Sequence, residues 1–365
     1  MKINAAVLRT GHGPFSVESV ELAEPREDEV LVRMVSAGMC HTDLIPRDLP
    51  AEFFARPEVR GHEGSGIVEA VGSEVTDVAP GDHVVLSFTS CGHCPACDRG
   101  RRPYCFNFGL HNMSGGRADG TSSLTDAAGE RLGSHFFGQS SFASHAVVAQ
   151  DSVVKVDPSY DLTILGPLGC GVQTGAGAVL NTLAVTPGSS IVILGAGALG
   201  LSAVMAAKFA EAGTIIAVDR HASRLELATR YGATHVLSGS PAEITAEIRR
   251  ITGTGADFAF DTTGAAALVR AAYDGLNNIG TLAMAGVGFG DMTFDFISMI
   301  SGRTITGVME GDSVPREFIP QLAKLNAEGR FPFHELITTF PLSAINDAEA
   351  ASTSGTVIKP VLLFD

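Results

Sequence analysis

Between Asp161 and Lys208 the chain carries no charged side chain, and within that stretch Ile191 to Ala207 is almost wholly apolar. Such a run either spans a membrane or is buried on all sides in a large protein core. Pro187, Gly195, Gly197 and Gly200 interrupt it where a strand, a tight turn and a helix would need turn chemistry, so the reading is a buried strand followed by a helix. A chain of 365 residues, 45% hydrophobic and 18% charged, can supply cores of that size and is long enough to predict two domains.

Organisation changes near Pro187. Before about residue 150, short Val, Ile and Leu runs such as LVRMVSAG, GIVEAVG and DHVVLSF alternate with Gly, Pro and Asp, which predicts a mostly β region. After Pro187, short apolar runs alternate with longer helical stretches, as in a parallel sheet with crossover helices. Strands are expected at IVIL from Ile191, TIIAV from Thr214, HVL from His235, FAFD from Phe258, TLAMA from Thr281 and TITGV from Thr304. Six such strands make two mononucleotide-binding halves. A helix from Pro315 to Glu328 and a terminal strand, VIKPVLLF, form a tail expected to rejoin the first domain. The expected domains are thus 1–171, 172–309 and a returning segment 310–365. Asn112 to Gly133, rich in Gly, Ser, Asp and Arg, reads as a long surface loop.

The formal charge of -15 repels nucleic-acid phosphates and anionic lipid, so neither nucleic acid nor membrane is expected as a partner. MKINAAVLRTGHGPF holds no apolar stretch of signal-peptide length, and a cytoplasmic location is expected.

The six cysteines fall into two groups. Cys91, Cys94, Cys97 and Cys105 follow C-x2-C-x2-C-x7-C, close enough for four thiolates to enclose one tetrahedral zinc and leave no place for substrate. A disulfide pair, an iron–sulfur cluster or a redox C-x-x-C are the competing readings of that spacing. The second group is dispersed: Cys40 in GMCHTD and Cys170 in LGCGVQTG, with His62 in GHEGSG. Two thiolates and an imidazole are the protein ligands of an open zinc site, whose fourth position is left for water or an alcohol oxygen. Alone, each is more often an ordinary buried side chain; the combination gives the reading its force.

A third motif is IVILGAGALG, where a strand runs into Gly195, Gly197 and Gly200, a helical pattern follows, and Asp219 ends the next strand. Such glycines allow a tight turn and close approach of a pyrophosphate, the helix N-terminus offers amide donors, and an acid after the second strand binds ribose hydroxyls. Asp219 favours NAD by repelling the extra phosphate of NADP, although the adjacent Arg220 could pair with that phosphate.

Together with CGHCPACDRGRRPYC, FFGQSSFASHAVV and SGTVIKPVLLF, these segments make the chain resemble the zinc-dependent medium-chain alcohol dehydrogenase family over nearly its whole length. FNFGLHNMSGGRADGTSSL and HFFGQSSFA look most like its bacterial aryl-alcohol (benzyl-alcohol) branch. The resemblance implies an α/β chain with a mostly-β GroES-like catalytic domain, a structural-zinc lobe at 91–105 and a doubly wound Rossmann domain. It also implies two zincs per subunit, NAD, an alcohol or aldehyde substrate, and a homo-oligomer, with a dimer favoured over a tetramer by the loop around Arg117 to Ser134.

Position by position, the resemblance makes Cys40, His62 and Cys170 the catalytic zinc ligands and Glu63 a carboxylate behind the metal that ligates it transiently. Asp43 would orient His62, and Thr42 would hold the alcohol and begin a proton relay. His41 and Lys359 would approach the cofactor pyrophosphate, and Asp219, with Arg224 beside it, would bind the adenosine ribose. Phe53, Phe54, Phe88, Phe136 and Phe137 fall near the family's pocket-lining segments. Many relatives place a relay histidine three residues after Thr42; here Ile45 stands there and cannot carry a proton. The activity expected is reversible, zinc-dependent, NAD-linked oxidation of a primary aryl or allylic alcohol to the aldehyde. The alternatives are a dehydrogenase of longer aliphatic or terpenoid alcohols, geraniol type, or a non-catalytic dinucleotide-binding protein.

Overall fold

The computed structural model describes residues 1–49, 56–288 and 290–364; the expected pocket residues Phe53 and Phe54 lie outside them. The chain divides into two compact units, one of Met1–Cys170, Val314–Gly329 and Phe333–Asp365, the other of Gly171–Ser313 and Arg330–Pro332. The tail after Val314 therefore belongs with the first unit, apart from the three residues Arg330–Pro332.

The first unit is built on two sheets. The smaller is antiparallel, in the order Glu58–Val59, Lys2–Leu8, Phe15–Leu22, Leu124–Thr125. The larger runs Ile337–Pro341, Lys359–Leu363, Glu29–Gly38, Gly64–Val71, His83–Leu86, Val153–Lys155, with His145–Ala149 also paired to Glu29–Gly38. Its central strand is buried along most of its length, as its near-continuous apolar sequence requires. The register sets Val361 opposite Gly38 and Ala37 opposite Gly64, so strand Glu29–Gly38 lies between the last strand of the chain and the strand that follows His62 and Glu63.

In the second unit the apolar run at Ile191 resolves into strand Ser190–Leu194 and helix Ala198–Phe209. Among the described residues no single helix is long and apolar enough to cross a membrane. All six expected strands form one parallel sheet, ordered His235–Leu237, Thr214–Val218, Ser190–Leu194, Ala256–Asp261, Leu276–Met284, Thr304–Gly307. In order of appearance this is 3-2-1-4-5-6, a doubly wound Rossmann sheet whose order reverses beside the first strand. Ile191 to Leu194 are fully buried, each removing a side chain from water for about 1.5–3 kcal/mol. One strand differs from expectation: it begins at Leu276, five residues before Thr281, because Ala256 pairs with Leu276 across a register shift.

The segment from Asn112 to Gly133 is not the free surface loop its composition predicts. Asn112 ends up fully buried on helix Phe108–Met113, its amide bonded to both backbone groups of Thr89. Arg117 donates two hydrogen bonds to the buried Glu29, at 2.5 and 2.8 Å, and His135 Nε2 lies 3.0 Å from the same carboxylate. Burial pushes the Glu29 carboxyl up, but the hydrogen bonds from Arg117, His135 and the Arg26 backbone outweigh it and bring it down to about 2.

Candidate active site

Cys40 precedes a short 3-10 turn, His41–Arg47, that carries Thr42 and Asp43 back toward it. Asp43 is fully buried: one carboxylate oxygen accepts from the Cys40 amide at 2.9 Å, the other from the Gly61 amide at 3.1 Å and from His62 Nδ1 at 2.8 Å. That last bond fixes the imidazole so that Nε2 presents its lone pair. His62 Nε2 is buried with no hydrogen-bond partner, which in a polar site is an atom awaiting a ligand. Cys170 follows the turn Gly166–Gly169, and the ligand atoms of Cys40, His62, Glu63 and Cys170 all lie within 4.8 Å of one another. The hydrogen bond with Cys170, helped by the charges of His62 and Lys359, holds the Cys40 thiol well below its ordinary range, the direction a thiolate ligand requires. Two thiols, an orphaned imidazole nitrogen and a carboxylate thus fit a zinc ion.

Lys359 lies against the Glu63 carboxylate. Its side chain is buried, 3% exposed, with Nζ 2.5 Å from Glu63 Oε2 and 3.1 Å from the Met39 carbonyl. Burial opposes its charge, but Glu63 and Cys40 outweigh that and raise its pKa, so it stays an ammonium. His41 is exposed, and Thr42 and Ile45 are half-buried; Thr42 Oγ1 lies 3.9 Å from Cys40 Sγ.

Phe88, Phe136 and Phe137 come together as a buried aromatic cluster, joined by Phe108. Phe137 lies against the His62 imidazole, ring centroids 4.6 Å apart at 31°, and Phe136 meets the same ring edge-on at 5.5 Å. Gln139, not singled out by sequence, clamps this turn to the ligand strand. Its side chain accepts from the Gly64 amide at 3.1 Å and donates to the His62 carbonyl at 3.0 Å and the Ser87 carbonyl at 3.1 Å. Its partners are backbone atoms far away in sequence, and no motif announces such contacts.

The second cysteine group is compact. Cys94 and Cys97 sulfurs are 3.6 Å apart, Cys91 and Cys97 4.0 Å, and Cys94 and Cys105 4.0 Å. Four sulfurs placed about 2.3 Å from a tetrahedral ion are about 3.8 Å from each other, whereas a disulfide would close to about 2 Å. Amides of Cys91 and Phe106 point at the sulfurs of Cys105 and Cys94, supporting their negative charge.

In the second unit, Gly195 has φ +89°, and any Cβ at Gly200 would strike the Gly195 carbonyl. Gly197 is different. A Cβ there would meet nothing within 4 Å, so nothing inside the chain requires glycine, and the open space is what a closely approaching phosphate needs. The Asp219 carboxylate accepts from the Ala196 amide of this turn and from the His221 amide, both at 2.8 Å, with Arg224 Nη1 4.0 Å away.

Comparison with known proteins shows the family. The alcohol dehydrogenase GroES-like domain family matches residues 26–158, and the zinc-binding dehydrogenase family matches residues 198–327. The chain belongs to the zinc-binding medium-chain alcohol dehydrogenase family. It is an alcohol dehydrogenase with zinc and NAD(H) as cofactors and a small alcohol as substrate. It is 42% identical to a geraniol dehydrogenase of Castellaniella defragrans, over 99% of this chain and 97% of that protein. Among solved structures, an alcohol dehydrogenase zinc-binding domain protein from Burkholderia ambifaria superposes with a TM-score of 0.97 at 49% identity, covering 100% of this chain and 99% of that one. Benzyl alcohol dehydrogenase from Acinetobacter calcoaceticus superposes with a TM-score of 0.95 at 43% identity, covering 100% of both chains.

Proposed function

We propose that the chain oxidises primary aryl or allylic alcohols to aldehydes, reversibly, with NAD. The observation that carries this reading is the aromatic cluster on the candidate metal centre, where Phe136 and Phe137 both touch the ring of His62. A planar conjugated group packed there buries apolar surface worth about 1.5–3 kcal/mol beside the reacting carbon, and ethanol cannot gain it.

Cys40, His62 and Cys170 hold the catalytic ion, and the four clustered cysteines hold the structural one. When bound, the catalytic ion supplies Lewis acidity to the alcohol oxygen and the dinucleotide accepts hydride. Asp43 keeps the His62 ring in the ligating tautomer. Thr42 would hold the alcohol hydroxyl and take its proton at Oγ1; Ile45 offers no onward acceptor, so the relay would end in water, a cofactor ribose hydroxyl or another group. Gly195, Gly197 and Gly200 would cradle the pyrophosphate, His41 and Lys359 are the further cofactor residues that the resemblance implies, and Asp219 with Arg224 would receive the adenosine ribose, favouring NAD over NADP.

The geraniol dehydrogenase relative supports a second reading, a terpenoid alcohol against the same aromatic cluster. A screen of benzyl alcohol, geraniol, long-chain alcohols and ethanol with NAD+ and NADP+, following the reduced cofactor, separates them. Equal kcat/KM for ethanol and benzyl alcohol would remove the aryl reading, and comparable kcat/KM with NADP+ would mean that Arg220 governs cofactor choice. We further propose a cytoplasmic homodimer. Exposed Phe296, Ile297 and Ile300 beside the edge strand Thr304–Gly307 would be covered by a second copy, and sedimentation of Phe296→Asp tests it.

A further inference from the structure

Strands Glu29–Gly38 and Lys359–Leu363, with the residue that precedes strand Gly64–Val71, set Gly38, Lys359 and Glu63 side by side. The Gly38 amide donates to the Glu63 carbonyl at 2.9 Å, and Pro360, next to Lys359, accepts from the Met39 amide at 3.0 Å. The Glu63 carboxylate occupies the space that a side chain at residue 38 would fill: a Cβ on Gly38 would come within 2.1 Å of Glu63 Oε2. Gly38 sits in a regular strand, so the glycine serves that space and not a special turn. On its other side the carboxylate is held by Lys359, whose ammonium is itself anchored to the Met39 carbonyl. Yet Glu63 remains close enough to Cys40, His62 and Cys170 to count as a fourth donor.

We propose that Gly38 and Lys359 are positioning residues that park the Glu63 carboxylate off the catalytic ion, keeping its fourth position open to substrate. Released from either hold, the carboxylate closes the site as a fourth protein ligand. This rests on the reading of Cys40, His62 and Cys170 as the ligand set. The two holds are physically independent, one a void and the other a charge, so they can be removed separately. Gly38→Ala displaces the carboxylate without altering any charge. Lys359→Met removes the charge and leaves the void.

The test loads holoenzyme with zinc or cobalt(II) and follows metal release to a chelator, the visible absorption of the cobalt protein, and KM against kcat for benzyl alcohol. Both Gly38→Ala and Lys359→Met should slow release of one of the two ions by about tenfold or more, a change of the size, though of opposite sign, that follows loss of groups supporting a metal's ligands. Both should alter the cobalt spectrum in the same sense and raise KM more than they lower kcat. Adding Glu63→Gln to either should return release to the wild-type rate, and Lys359→Arg should behave as wild type. If Lys359→Met does not fold, Gly38→Ala and its Glu63→Gln double variant decide alone. Unchanged or faster release in Gly38→Ala, or slowing that persists in the double variant, overturns the proposal. Should Cys170→Ser keep both ions as tightly as wild type, the ligand assignment itself falls, and this inference with it.

Discussion

The two sulfur-rich sites of the first unit are built in opposite ways. At Cys91, Cys94, Cys97 and Cys105 the donors come from one short segment, and little besides the sulfurs, a few amides and the neighbouring Tyr104 and Phe108 shapes it. At Cys40, His62 and Cys170 the donors come from three distant segments. A buried carboxylate, a buried amide and stacked aromatic rings hold His62 in place before any ion arrives. On the proposed assignment, the first site would draw its structure from its metal, and the second has a structure that prepares a metal site. A closed local site contributes folding energy, whereas an open, supported one leaves chemistry at its vacant position.

The sharpest way to break that comparison is to remove one sulfur from each. Cys170→Ser should abolish nearly all activity while melting within a few degrees of wild type, and Cys97→Ser should lower the melting temperature markedly. Elemental analysis should fall from two zincs per chain to one in both. An active Cys170→Ser enzyme, or a fully active metal-free one, would falsify the division of roles.

Next in size is the proton path. Thr42→Val should slow hydride transfer by about 10²–10⁴-fold in pre-steady-state measurements, since a relay group in the limiting step contributes on that order. Ile45→Ala should change it little. Hydride transfer at the wild-type rate in Thr42→Val would mean that the proton leaves by another route.

Asp43→Asn probes the support of the dispersed site alone. It keeps the shape but weakens the bond to His62 Nδ1, and should reduce affinity for one of the two ions by about 10–100-fold. Chelator competition should show the four-cysteine site unaffected; equal loss from both sites would argue that Asp43 acts through general stability.

The smallest effect on activity is expected at Glu29, which holds the 112–135 segment and touches neither metal site. Its carboxylate is held at about 2, below the ordinary value of 4.5, so its contribution is present above about pH 4.5 and is lost as pH falls toward 2. That contribution is roughly 3 kcal/mol in order of magnitude. Urea unfolding should show Glu29→Gln less stable than wild type at pH 7, with the gap narrowing from pH 4.5 downward. A gap independent of pH would assign its role to packing.

Local patterns were legible where the physics is local. The six strand runs, the glycine turn and the four-cysteine spacing each depend on neighbours a few residues away, and each stands where the sequence puts it, save the early start at Leu276. The composition of Asn112 to Gly133 misled because turn-forming residues say nothing about a buried partner: Glu29, more than eighty residues earlier, turns Arg117 inward.

What the chain determined by itself was the inventory of donors, glycines and apolar runs, because periodicity and short spacing translate directly into strands, turns and a local ligand shell. Only the tertiary structure decided what the isolated residues do. The tertiary fold carries Lys359 onto Glu63, leaves a space at Gly38 for the carboxylate, and lays Phe137 on His62. Those outcomes depend on contacts between residues well separated along the chain, and in a strand one position of register exchanges one face for the other.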